Sequence, residues 1–120
     1  MFIRKLDDCT TIVAGDNTIL KEILHPDKAD LSIRYSLAHA IVPPGKASLP
    51  HTLTTSEVYY ILAGQGEMHI NDENTLVQQS DTVYIQPGGI QWIQNTGDEP
   101  LVFLCIVDPP WREEDEDILS

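Results

Sequence analysis

The chain has 120 residues, 42% of them hydrophobic, which suits one domain with one core. Its formal charge of −12, from 19 acidic and 7 basic residues, argues against nucleic acid and anionic membranes as partners. No apolar run approaches the roughly 20 residues that span a bilayer, and no secretory signal opens the sequence. Cys9 and Cys105 lack CxxC spacing, so we expect reduced thiols in a cytoplasmic protein.

Turn signals recur at short intervals along the chain, and β-branched or aromatic segments of strand length lie between them. The segment at 18–24 suits a strand or a short helix equally well. This rhythm predicts an all-β single domain over residues 1–120, with an antiparallel barrel at 31–107 and no helix longer than about three turns. The clearest predicted strands are 31–42, 57–62, 66–70, 82–85, 91–95 and 101–107.

Several of these strands are apolar on both faces, as strands covered on two sides are. A small barrel supplies only an inner layer, so a homodimer that also covers Phe2 and Ile3 is expected. The acidic run that follows Trp111 is interpreted as a solvated C-terminal tail over residues 112–120.

Two segments carry spacings that resemble the cupin motifs. The stretch GKASLPHTLTTSEVYYILAGQG is similar to the first motif, G-x5-H-x-H-x3–4-E-x6-G, and places Gly45, His51, Glu57 and Gly64 at its positions. The stretch SDTVYIQPGGIQWIQN is similar to the second, G-x5-P-x-G-x2-H-x3-N, and matches it at Gly88 and Asn95. The resemblance covers about residues 31–111 and implies a double-stranded antiparallel β-barrel of the jelly-roll type.

In the resembled family three histidines and a glutamate hold a metal ion. Here Leu53 and Gln91 replace two of the histidines, while Ser80 and Gln86 replace the first glycine and the proline of the second motif. The resemblance therefore implies a divalent ion (Mn, Fe, Zn or Ni) held by the remaining His51 and Glu57.

Strand parity places the side chains of His51, Glu57 and Gln91 on faces that converge on one cavity. Gln91 is the expected third metal ligand, and with only two strong ligands the affinity is expected to be modest. His39 is either a further ligand or a core histidine.

Four functions stay open at this point. The metal-bearing alternatives are a dioxygenase-like enzyme and an isomerase or lyase, both acting on a small oxygenated molecule. A non-catalytic module that binds a small polar ligand is the third. The fourth is a metal-free, epimerase-like enzyme in which His51 and Glu57 form an acid–base pair beside Tyr59, and these three residues are the catalytic candidates.

Overall fold

The computed structural model describes residues 1–119, and within them the chain is built almost wholly from β-strands joined by short turns. Single 3₁₀ turns at Leu6–Asp8 and Glu113–Asp115 are the helical elements of this part of the chain. The strands are β1 (Thr11–Val13), β2 (Ile19–Leu24), β3 (Ser36–Val42), β4 (His51–Leu53), β5 (Ser56–Ala63), β6 (Gln65–Ile70), β7 (Glu73–Gln78), β8 (Thr82–Ile85), β9 (Gln91–Asn95), β10 (Leu101–Asp108) and β11 (Glu116–Ile118).

The strands form two antiparallel sheets. The first has the order β1-β2-β3-β10-β5-β8 and the second the order β11-β4-β9-β6-β7. No strand pairing joins the two sheets within residues 1–119, so the barrel is a jelly roll that stays open at its edges. The all-β prediction is confirmed, and no helix of this part of the chain is long and apolar enough to cross a membrane.

The core lies between the sheets and follows the two-residue period of the strands. In β10, Leu101, Phe103, Cys105 and Val107 are buried, whereas the alternating residues are half-buried or exposed. The same alternation turns Glu57, Tyr59 and Ile61 of β5 inward, and Gln91, Ile93 and Asn95 of β9. The central hydrophobic cluster consists of Ala40, Val42, Tyr59, Ile61, Met68, Val77, Ile85, Ile93, Leu101, Phe103 and Cys105.

Residues of the two motifs have structural roles in this frame. Gly64 has φ +84°, and a Cβ there would lie 2.6 Å from the Pro100 carbonyl oxygen, so only glycine fits. Asn95 is buried and donates to the carbonyls of Val42 (2.9 Å) and Glu99 (2.8 Å), while its own oxygen accepts from Gly97 N–H at 2.8 Å. This asparagine therefore ties three chain segments together.

Two expectations are settled by pairing between distant segments. Residues 19–24 form a strand because they pair with β3 along their length. The segment at 112–120 is not simply a solvated tail: Glu116–Ile118 form β11, which pairs with β4, and Leu119 N–H donates to the Pro50 carbonyl at 2.9 Å. Ser120 lies outside the described residues. Both cysteines are free, as predicted.

Candidate functional site

His51 begins β4 and is buried, with only 2% of its surface exposed. Its Nδ1 lies 2.7 Å from the Leu49 carbonyl oxygen, which can only accept a hydrogen bond, so the ring nitrogen is the donor. In the neutral imidazole this contact leaves Nε2 as a free acceptor, and Nε2 lies 3.7 Å from Asp16 Oδ2. The short loop before β4 thus holds the ring in one orientation.

Glu57, Tyr59 and Gln91 form a buried polar group beside His51. Gln91 is paired directly with His51 across β4 and β9, and Tyr59 O–H donates to Gln91 Oε1 at 3.0 Å. The Gln91 amide lies near enough to the Glu57 carboxyl group to lower its pKa, but among residues 1–119 neither Gln91 Nε2 nor Glu57 Oε1 has a hydrogen-bond partner in good geometry. Unpartnered buried polar atoms are costly, and they occur at sites that take a ligand.

A cavity of about 200 Å³ opens beside His51, Glu57 and Tyr59, over the inner face of the first sheet. Gln91, which the sequence predicted to face the same cavity, is not among its lining residues. Its apolar wall includes Ala38, Ala40, Phe103 and Val107. Its polar groups include Asp16, His51, Glu57, Tyr59 and Glu116. Ligand pockets for drug-sized molecules are usually about 300–1,000 Å³, so this space suits a smaller molecule.

Two of those polar residues, Asp16 and Glu116, are not among the sequence-predicted site residues. Asp16 lies in the turn between β1 and β2, where its Oδ1 accepts from Thr18 N–H (3.1 Å) and Thr18 O–H (2.8 Å). Glu116 comes from β11, and a Cβ added to Gly15 would lie 3.2 Å from its Oε1. An Asp two residues before a Thr is an Asx-turn signal, but it does not say what the turn will face.

Burial and neighbouring negative charge raise the pKa of two carboxyl groups of the site. Burial raises the pKa of Glu57 to about 8; the Asp16 and Glu116 charges add to the rise, and the Gln91 amide opposes it. Burial and the Asp16 carboxylate also raise the pKa of Glu116, against the opposing effect of His51. Burial, with the charge of Glu57, raises the pKa of both Tyr59 and Cys105, so both stay protonated.

The remaining histidines lie away from the cavity lining. His39 is half-buried on β3, between the lining residues Ala38 and Ala40, so strand parity turns it to the opposite face. His69 stacks on Trp92, with ring centroids 3.6 Å apart. His25 is buried and its Nε2 contacts the Trp111 carbonyl at 2.7 Å. His51 is therefore the histidine available to a ligand.

The donors present do not form the four-ligand metal centre of the resembled family, as the incomplete motifs predict. Leu53 is buried at the place of one histidine, and Gln91 Oε1 already accepts from Tyr59. Within residues 1–119 no group of three or more His, Cys, Asp or Glu side chains is arranged to hold an ion. His51 Nε2 and Glu57 are the two donors left for a weakly bound ion.

Comparison with known protein families matches the cupin domain over residues 38–107, and the chain belongs to that family. It is 40% identical over 115 residues to an uncharacterized protein of Methanocaldococcus jannaschii, covering 95% of this chain and 91% of that one. It is 34% identical over 88 residues to an oxalate-binding protein of Thermotoga maritima, covering 72% of this chain and 68% of that one.

Solved structures show the same fold. A predicted oxalate decarboxylase of Thermotoga maritima superposes with a TM-score of 0.79 at 22% identity, over 90% of this chain and 99% of that one. A mutant of Bacillus subtilis oxalate decarboxylase gives a TM-score of 0.81 at 23% identity, over 95% of this chain and 31% of the larger enzyme. The cupin jelly roll predicted from the motif spacing is confirmed.

Proposed function

We propose that this cupin binds one small polar organic molecule in the cavity, through His51 and Glu57. The observation that carries the proposal is that two buried polar side chains line one cavity: His51, whose ring is oriented by the Leu49 carbonyl, and Glu57, whose Oε1 has no geometrically good hydrogen-bond partner within residues 1–119. A ligand with hydroxyl or amine hydrogens would satisfy both side chains at once. The similarity to an oxalate-binding protein supports a small-ligand site in this barrel, but it does not determine the charge of the ligand.

Each polar residue of the cavity has a different role in binding the ligand. His51 accepts a hydrogen bond through Nε2, in the orientation that Leu49 imposes. Glu57 is a neutral acid below about pH 8, so it donates one hydrogen bond and accepts another. Tyr59 fixes the Gln91 side chain through its hydrogen bond. Ala38 and Ala40 line the cavity and offer apolar contact to a short carbon skeleton.

Metal binding by His51, Glu57 and Gln91 is the second candidate occupancy. It is favoured by the same unpartnered Glu57 oxygen, since a cation there would relieve a buried, repelled carboxyl group. A divalent ion would supply Lewis acidity toward ligand oxygens. Gln91 would join only by turning its oxygen away from Tyr59, which leaves His51 and Glu57 as the stronger donors.

Acid–base isomerisation is the catalytic extension of the same site. A neutral Glu57 and a basic His51 Nε2 on one cavity are the two partners that moving a proton within a substrate requires. His51 would take a proton from one atom of the substrate and Glu57 would deliver its proton to another, so the product is an isomer of the substrate. His51 would then release its proton to solvent and Glu57 would take one up, which restores the starting state. Cytoplasmic location and the homodimer stay predictions.

Native mass spectrometry of the protein purified without added metal or chelator, together with elemental analysis, tests the proposal. We expect a small organic molecule to be retained by the wild type and lost from His51→Ala and Glu57→Ala. His69→Ala removes a histidine outside the cavity and serves as the control. Stoichiometric metal without an organic ligand would favour the second candidate. Equal retention by His51→Ala and wild type would refute the assigned site.

A further inference from the structure

We propose that the cavity selects a positively charged group, such as the ammonium of a small organic amine, and that Asp16 and Glu116 determine this selectivity. The inference rests on the proposed function, because it names the charge of the molecule that the cavity binds. Both residues lie outside the matched cupin segment at 38–107.

Charges on the cavity lining are strongly unbalanced. Its carboxyl groups are Asp16, Glu22, Glu57 and Glu116, and its one lysine is Lys28. Lys28 pairs with Glu22 and its side chain is 67% exposed, so it lies toward solvent rather than over the inner groups. Glu57 is neutral below about pH 8, so the negative charge of the inner lining comes from Asp16 and Glu116. The lining holds no lysine or arginine beside them to neutralise it.

These carboxyl groups are close to one another and to His51. Asp16 Oδ2 lies 3.7 Å from His51 Nε2, and Glu116 packs against Gly15, the residue before Asp16. Asp16 is held by Thr18 through its side chain, and its backbone carbonyl accepts from Leu49 N–H at 2.8 Å. The negative charge is thus built into the turn and does not depend on a mobile side chain.

A buried oxygen of Glu57 is a second observation that points to a ligand at this cluster. The residue is only 7% exposed, lines the cavity and has an oxygen without a hydrogen-bond partner in good geometry among residues 1–119. An ammonium group carries three donors and would satisfy the Glu57 oxygen and the Asp16 carboxylate together. A free carboxylate in the same place would meet like charges in a poorly hydrated space.

Shape supports an amine over a bare metal ion. The carboxyl groups are not arranged as a group of three or more metal donors within residues 1–119. An ammonium group tolerates partners at hydrogen-bond distance rather than at roughly 2.0–2.2 Å. The alanine and phenylalanine side chains of the lining leave apolar surface for a short hydrocarbon chain.

Three probes of equal size but different charge test the inference: n-propylammonium, propan-1-ol and propionate. Binding is followed in ¹H–¹³C methyl spectra of alanine-labelled full-length protein. Ala38 and Ala40 report on the cavity, whereas Ala63 is exposed and outside its lining. We expect n-propylammonium to bind at least about tenfold more tightly than propan-1-ol, and propionate to leave the cavity methyls unmoved.

The double variant Asp16→Asn, Glu116→Gln removes two charges and keeps an oxygen acceptor at each position. It is expected to abolish the preference for the ammonium while retaining propan-1-ol binding. Asp117→Asn removes a charge from the exposed middle residue of β11 and should leave the preference intact. Titration of Mn²⁺ or Zn²⁺ alone distinguishes the source of the cation: competition with n-propylammonium identifies a metal as an alternative occupant of the same cation site.

Propionate binding as tight as that of n-propylammonium, or unchanged selectivity in the double variant, would overturn cation selection and leave small-ligand binding standing. If none of the three probes moves Ala38 or Ala40 in the wild type, the cavity is not a small-ligand site and both proposals fail.

Discussion

Replacing Glu57 by glutamine tests the electrostatics of the site through protein stability. Burial and neighbouring charge raise the pKa of Glu57 from 4.5 to about 8. Between these values the folded state holds a proton that the unfolded state has released. Wild-type stability from this group is therefore complete below about pH 4.5, falls as the pH rises, and is lost once the pH passes about 8.

The difference of about 3.5 pKa units corresponds to at most about 5 kcal/mol of unfolding free energy. Glutamine cannot ionise, so the unfolding free energy of the variant does not fall with pH through this group. Its stability relative to wild type should climb through the same pH range, by up to about 5 kcal/mol, and level off above it. Local relaxation and water entry would reduce the size of the climb but not its sign.

Urea unfolding at several pH values from 4.5 to 9, followed by tryptophan fluorescence, measures this difference. Glu73→Gln changes an exposed carboxylate on β7 and serves as the control, with a nearly constant difference expected. If the Glu57→Gln difference is as constant as that of the control, Glu57 is ionised in the folded protein. The description of a neutral acid in the cavity would then be wrong.

Three further outcomes are expected. Ser80 stands where the motif has glycine, and its φ is +75°. Ser80→Gly should therefore raise the free energy of unfolding, measured in urea, by roughly 0.5–1 kcal/mol. A lower free energy of unfolding in the variant would contradict backbone strain at this position. Restoring two imidazoles with Leu53→His and Gln91→His should tighten zinc binding by over about tenfold in calorimetry, and unchanged affinity would mean that these strands do not converge. Light scattering should show a homodimer that Phe2→Ser with Ile3→Ser weakens, since both side chains are exposed; a monomeric wild type would refute it.

The inward-facing site residues could be predicted because they depend only on local pattern. A strand turns alternate residues to one side, so strand parity was enough to place His51, Glu57 and Gln91 on the buried faces of their strands. The identity of residues 19–24 as a strand depended on pairing with β3, which lies beyond a turn and a loop. Propensity alone does not decide such a case.

The acidic residues of the site could not be predicted from the same pattern. Glu116 lies in a run of charges that is typical of solvated segments, and only its pairing with β4 brings it inward. Ile118, two residues later on the same face, is the one local sign that this run forms a strand. Asp16 was part of a turn signal, and its position beside His51 follows from the packing of that turn.

The cavity is lined by residues of β3, β4, β5 and β10 of the matched domain, and also by residues of the β1–β2 turn and β11, which lie outside it. The two flanking segments add few residues to the central hydrophobic cluster. Substitutions of their cavity-facing side chains would therefore alter what the cavity accepts without removing a residue of that cluster. Grafting the β1–β2 turn and β11 from one related chain onto another is a practical route to exchanging ligand preference while the shared barrel stays unchanged.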